Sequence, residues 1–389
     1  MSFGLLTLVV LAGLAGPLLA ALPRVRLPLV VGEVLAGVAL GPSGTGWLDP
    51  REPTVAFLAE IGFAMLMFVV GTRLPLRDRA MLGDLRTSVL AAGLVLVAAV
   101  PAGLLLTTLG PDRPLLLADL VATSSAAVAL PALPGLVTAP GQPGPRRGVG
   151  FAVGWITVLD AVTVLAVPFV LSTGSTLAEV LGTLSVIAAA VAVHLVVQRA
   201  RSSGPGRRVR ALSARQGWAL DLRIGLATLF ALAALASVFG TSVLVAGFAA
   251  GALLAAEGEP RRLAQQLVGV AEGFLVPLFF VTLGARVQWR ALLESRSALL
   301  LCLALVATSA AIHVVVVVVL RRHPATGLLA TASLGVPSAI ASIGLTQGVL
   351  DPADGAAVVT SILGTVLVSG VGSALLARDA RPSEPPAEP

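Results

Sequence analysis

The sequence predicts an all-α polytopic membrane protein. About thirteen transmembrane helices form two inverted-topology repeats, and helices 5 and 12 are discontinuous crossing helices. Three observations carry this expectation. Hydrophobic residues make up 57% of the 389 residues and charged residues 12%, with a mean hydropathy of +0.97. A soluble domain is about half apolar and a quarter charged. Apolar runs of about 20 residues, enough to cross a bilayer, follow one another with only short polar loops between them. Finally, an A-T-x-S core occurs twice inside such runs, in VATSSAAVALP at 121–131 and LATASLGVPSA at 329–339.

The apolar segments run in order over 2–22, 28–47, 54–72, 87–110, 114–136, 148–172 and 176–198. After a polar stretch come 217–239, 241–257, 263–285, 297–320, 324–350 and 353–377. Residues 1–22 lack a basic leading region and read as a helix rather than a signal peptide. Residues 199–216 form a Ser/Gly/Arg-rich cytoplasmic linker between a first membrane half, 1–198, and a second, 217–377. The tail 378–389 has the composition of a disordered segment.

All 26 basic residues are arginine. With the N-terminus outside and the C-terminus in the cytoplasm, 20 of them fall in cytoplasmic loops and five in outside loops (Arg51, Arg113, Arg286, Arg290 and Arg296). The positive-inside rule therefore favours that orientation in the cytoplasmic membrane. The pI near 11.3 reflects these scattered loop arginines rather than a nucleic-acid footprint. Cys302 is the single cysteine, which rules out an internal disulfide. With three histidines and no clustered spacing, no resident metal site is expected. Nor are paired catalytic groups, P-loop or Rossmann fingerprints evident, so neither an enzyme nor a cofactor is expected.

Thr123 and Thr331 lie 208 positions apart. A second pair of segments, AEIGFAMLMFVVGTRL at 59–74 and AEGFLVPLFFVTLGARV at 271–287, aligns Gly71 and Arg73 with Gly284 and Arg286 at an offset of 213. In the expected topology Arg73 is cytoplasmic and Arg286 outside, so the motif points opposite ways in its two copies. Inverted repeats with interrupted helices at matching places mark the midplane site of a secondary transporter. Small and hydroxyl residues followed by proline let a helix unwind. Such irregular backbone survives in a membrane only where it is buried or lines a cavity.

Asp160 lies 12 residues from Gly148 on helix 6, about 18 Å along a helix axis and so near the middle of the bilayer. An ionisable group there is costly and is by default a functional-site candidate. Its repeat mate falls near Val368 and Ser369, where there is no acid. Helix 5 can bring Thr123, Ser124 and Ser125 beside it. Hydroxyls, carbonyls and one carboxylate suit a hard cation. A carboxyl held away from water is harder to ionise, so a proton and a cation can compete for it. Competition at one site, combined with alternating access, is antiport.

These residues resemble the monovalent cation:proton antiporter-2 family, the Kef-type sodium/proton exchanger group. The matching segments are LPLVVGEVLAGVALGPSGTGWL at 27–48, FLAEIGFAMLMFVVGTRL at 57–74, ATSSAAV at 122–128, DLRIGLATLFALAALASVFGTSVLVAGFAAGALLA at 221–255 and PLFFVTLGARV at 277–287. The resemblance runs in order over about residues 2–377, and Asp160 falls at the family's ion-binding aspartate. It implies a core and a dimerisation domain, elevator-like alternating access and a homodimer in the membrane. Two features depart from the pattern. Leu159-Asp160 stands where many members carry two polar residues, and Glu272 sits near the place of an intramembrane lysine that this chain lacks. With no second titrating partner, electroneutral one-for-one exchange of Na⁺ or K⁺ for H⁺ is expected.

Asp119, Glu272 and Ser333 are candidates for tuning the site. Glu33 and Glu60 match family positions and suit pairing or capping. His194 and His313 fit packed, hydrogen-bonded histidines. Two alternatives on the same architecture are an organic-anion or small-solute transporter and a non-transporting membrane sensor.

Overall fold

The computed structural model describes residues 3–21, 29–72, 79–133, 149–172, 176–216, 218, 220–239, 242–257 and 267–379. Among these residues every regular element is a helix. The elements are α1 (Phe3–Gly13), α2 (Ala15–Ala20), α3 (Leu29–Leu40), α4 (Pro53–Thr72), α5 (Arg79–Leu106), α6 (Pro114–Ala122), α7 (Ala126–Ala129), α8 (Val149–Leu171) and α9 (Thr176–Ser202). They continue as α10 (Gly204–Gln216), α11 (Leu220–Val238), α12 (Val243–Glu257) and α13, the span Leu267–Arg286. The last five are α14 (Trp289–Glu294), α15 (Arg296–Val319), α16 (Pro324–Ala330), α17 (Gly335–Gln347) and α18 (Pro352–Asp379).

Nine stretches of the described residues are long and apolar enough to span a membrane, and four shorter apolar helices (Leu29–Leu40, Pro114–Ala129, Leu222–Val238, Val243–Ala256) join them. Together they account for the thirteen segments read from the sequence. Helices 5 and 12 are both discontinuous. The first is split between α6 and α7 at Thr123–Ser125, the second between α16 and α17 at Thr331–Leu334. Helix 1 is also interrupted, at Leu14 between α1 and α2. Pro17 accounts for the interruption, since it has no N–H to offer the Gly13 carbonyl and its ring crowds that group.

Residues 204–216, within the polar linker, form a helix of their own, α10. The tail beyond Asp379 lies outside the described residues, as do Arg73 and Gly148.

The chain divides into two compact units, each drawing on both halves of the sequence. One comprises Met1–Arg77, Val164–Leu300 and Gly335–Val359, the other Asp78–Thr163, Leu301–Leu334 and Thr360–Pro389. Within the first unit, α3 packs along α13 and α4 along α12. These approaches depend on missing side chains: a Cβ on Gly251 of α12 would strike the Phe68 carbonyl of α4, and one on Gly37 would strike that of Val281. Small residues at helix crossings are how membrane helices gain close van der Waals contact. Phe63 and Phe279 stack with centroids 5.0 Å apart.

Within the second unit α5 runs along α6. Ser88 on α5 donates to the Phe151 carbonyl of α8 at 3.2 Å. Trp155 of α8 lies between Phe151 and His313, with centroids at 5.6 Å from each. Arg322 covers Phe151 at 4.8 Å from the ring centroid and pairs with Asp84 at 3.6 Å. This unit holds the carboxylate-bearing half of α8 and both helix breaks.

Candidate functional site

Helix α6 stops at Ala122. Thr123 (φ −65, ψ 144) and Ser125 (φ −113, ψ 110) are extended, and α7 starts at Ala126. Hydroxyl residues favour such a break, because their side chains compete with helical hydrogen bonding. The interruption leaves backbone groups free for partners elsewhere. The Ser125 N–H donates to the Ala332 carbonyl in the other break at 2.6 Å, and the Ala126 N–H donates to Asp160 Oδ2 at 2.9 Å. A carboxylate that accepts from the first amide of a helix is well placed electrostatically.

Asp160 is 1% exposed. Thr123 Oγ1 meets Thr163 Oγ1, on α8 one turn beyond Asp160, at 3.2 Å. Thr163 directs its own proton to the Leu159 carbonyl at 2.7 Å, so Thr123 is the donor of that pair. The break is thereby tied to the carboxylate-bearing helix at two points. Ser124, Ser125 and Thr157 are buried, and their hydroxyl oxygens have no hydrogen-bond partner. Buried polar groups are nearly always satisfied, so a group of exceptions calls for a water, an ion or a role in chemistry. A carboxylate beside oxygens with spare lone pairs is the donor set of a hard cation.

Thr157 was not among the residues singled out from the sequence. It lies three residues before Asp160, the spacing that places two residues on one face of a helix. A polar residue at that spacing in WITVLD was the available signal.

The candidate tuning residues divide. Asp119, on α6, is 6% exposed with a partnerless Oδ2, and its carbonyl accepts from the Thr123 N–H at 3.1 Å. Ser333 lies in the second break and meets Thr365 Oγ1 at 2.8 Å. Both belong to the unit that holds Asp160. Glu272 instead sits exposed on the π-helical turn Ala271–Leu275 of α13, in the other unit. Ser369, near the position of Asp160 in the second repeat, donates to the Leu329 carbonyl at 2.7 Å.

His313 is fully buried, with Nδ1 at 2.8 Å from the Ser309 carbonyl. Glu33 is buried on α3, and Glu60 is exposed on α4. Among the described residues no three His, Cys, Asp or Glu side chains gather as a metal site.

The first unit contains a cavity of about 780 Å³ lined by Glu60, Phe63, Phe279, Arg286, Ser342 and Thr346 among others. Arg286 Nη1 donates to Thr346 Oγ1 at 3.0 Å and to Ser342 Oγ at 3.5 Å. Arg286 therefore has hydroxyl partners within this cavity.

Two helices broken at matching positions of inverted repeats, meeting at a buried carboxylate, define the architecture of secondary transporters. The model of the sodium/hydrogen exchanger transmembrane family matches residues 7–378, and the chain belongs to that family. The glutathione-regulated potassium-efflux system protein KefC of Salmonella newport is 30% identical over 295 residues, 72% of this chain and 45% of that protein. KefC of Klebsiella pneumoniae is 29% identical over 272 residues, 68% and 42% respectively. A 51-residue stretch is 55% identical to the iron transporter MagA of Paramagnetospirillum magneticum, 13% of this chain and 12% of that protein. The chain thus spans less than half the length of these curated relatives. The structure of the sodium proton antiporter MjNhaP1 from Methanocaldococcus jannaschii superposes with a TM-score of 0.67 over 97% of each chain at 15% identity, a likeness of fold.

Proposed function

We propose that this protein exchanges a monovalent alkali cation for a proton across the cytoplasmic membrane, with Asp160 as the carrier both ions share. The observation that carries the proposal is the environment of that carboxylate. It is buried at a helix break, oriented by the Ala126 amide, and has the partnerless hydroxyls of Ser124, Ser125 and Thr157 on the break and on its own helix. Cation and proton occupy Asp160 in turn. Thr123 positions the break against α8, while Ser124, Ser125 and Thr157 supply neutral oxygens to the cation.

One carrier carboxylate makes the exchange one-for-one and electroneutral. Asp119 and Ser333 tune the site from the first half-helix and the second break. The protein works as a homodimer by elevator-like alternating access, with the N-terminus outside and the C-terminus in the cytoplasm. Family membership and the potassium-efflux relatives support the choice of ions.

The test is purified protein in proteoliposomes enclosing a pH-sensitive dye, given Na⁺, K⁺ or Li⁺ in turn with the membrane potential clamped. Cation-dependent proton movement that ignores the potential is the expected result. No proton movement with any cation would reject the exchange. Movement that follows the potential would reject electroneutrality alone.

A further inference from the structure

Helix α10 carries a charge pattern that the exchange does not use. Between Arg199 and Gln216 the chain holds six arginines and no acidic residue. The preceding span Val180–Ala200 and the following helix Leu222–Val238 are both apolar. At 13 residues, α10 is about 20 Å long, too short and too polar to cross a bilayer. It therefore lies at the membrane face where α9 leaves and α11 enters.

Its end is fixed there. Ser213 is 7% exposed, its hydroxyl accepts from the Leu220 N–H at 3.2 Å, and its carbonyl accepts from the Trp218 N–H at 3.1 Å. Val209 and Leu212, three positions apart and so on one face, are each 45% exposed, and Trp218 is 46% exposed. Arg208 and Arg215, two turns apart, are exposed as well. A basic helix with uncovered apolar side chains, held at a membrane surface with an interfacial tryptophan at its end, has the composition of an in-plane amphipathic helix.

We propose that α10 lies in the headgroup boundary of the leaflet and binds acidic phospholipid headgroups. Val209, Leu212 and Trp218 enter the acyl boundary, while Arg208 and Arg215 meet the phosphates. Charge selects the partner: a run of arginines without acids is attracted to an anionic leaflet and indifferent to a zwitterionic one. The inference does not depend on which ions are exchanged.

The test uses the full chain with one reporter. Cys302 is the only native cysteine and is buried, so Leu212→Cys in a Cys302→Ser background takes a single environment-sensitive dye. The labelled protein is placed in vesicles of phosphatidylcholine, with or without phosphatidylglycerol, and quenched with acrylamide. Phosphatidylglycerol should cut quenching about threefold, and adding Arg208→Gln with Arg215→Gln should abolish that difference. Equal quenching in both lipids, or an unchanged lipid effect in the glutamine variant, would overturn the proposal. Protection by an added polynucleotide in pure phosphatidylcholine, without any effect of phosphatidylglycerol, would assign the arginines to nucleic acid and overturn it too.

Discussion

The two helix breaks of the second unit carry the same A-T-x-S sequence, and each is tied to a long helix by a hydroxyl pair. Thr123 meets Thr163 in the first, and Ser333 meets Thr365 in the second. Beyond that they use their polar groups differently. In the second break Thr331 donates to the Gly327 carbonyl, Ser333 has Thr365, and Ser369 donates to the Leu329 carbonyl. Each of these hydroxyls is satisfied. In the first, Ser124 and Ser125 have no partner, and a carboxylate takes the place of Ser369 and accepts from a backbone amide. A closed hydrogen-bond network holds a shape, whereas an open one beside a carboxylate can receive a cation. On the proposed function, one repeat holds the crossing and the other carries the chemistry.

The largest effect should come from making the first break resemble the second. Asp160→Ser replaces the carboxylate with a hydroxyl, and cation-driven proton flux should fall to that of empty vesicles with the protein still folded. Flux that survives would move the carrier elsewhere.

Next, Ser124→Ala combined with Ser125→Ala should weaken apparent cation affinity by about tenfold, as expected for the loss of neutral oxygens from a charged site. Thr157→Val should act in the same direction. Ser333→Ala should shift cation affinity by about twofold at most and cost about 1 kcal/mol of stability by removing its hydrogen bond to Thr365, which keeps its own bond to the Ile362 carbonyl, read as a lower melting temperature in detergent. The reverse pattern would exchange the roles of the two breaks.

Asp119→Asn tests whether the open break has a second proton carrier. Proton flux should persist and stay independent of the membrane potential, with only its pH profile displaced. A change in potential dependence would make Asp119 a carrier.

The smallest effect lies outside the membrane. Glu52 accepts from the Val55 N–H at 2.8 Å and from Thr54 Oγ1 at 3.0 Å, and the backbone bond to Val55 leads the causes that lower its pKa. A lowered carboxylate contributes stability above its ordinary value and loses it as pH falls through the lowered one. Glu52→Gln should therefore reduce thermal stability slightly at neutral pH, by an amount that vanishes in acid, with transport unchanged.

Much of this contrast was legible in the sequence. The paired A-T-x-S motifs give both breaks, because hydroxyl and small residues offer a membrane helix little reason to stay wound. Asp160 stands out as an acid deep in an apolar run. The rest depends on tertiary partners. Nothing in the residue name Ala126 announces an amide aimed at a carboxylate. Thr157 was hidden because threonines in apolar helices commonly donate to a carbonyl one turn back, as Thr163 and Thr331 do here; its own lack of a partner appears only in the structure. Composition placed 199–216 in a linker, but the helical register of α10 emerges once its end is clamped through Ser213. Glu272 stands out in the sequence only by lying near the place of the family's intramembrane lysine, and the fold puts it in the unit that does not hold Asp160.

The central claim, that one carboxylate serves both ions, is tested most directly by proton release on cation binding. Purified protein in weakly buffered detergent solution would be titrated with cation near neutral pH, and the released protons counted with a pH dye. The account predicts one proton released per cation bound in wild type, and neither saturable binding nor release in Asp160→Asn. Cation binding without proton release in wild type, or full release in the variant, would contradict it.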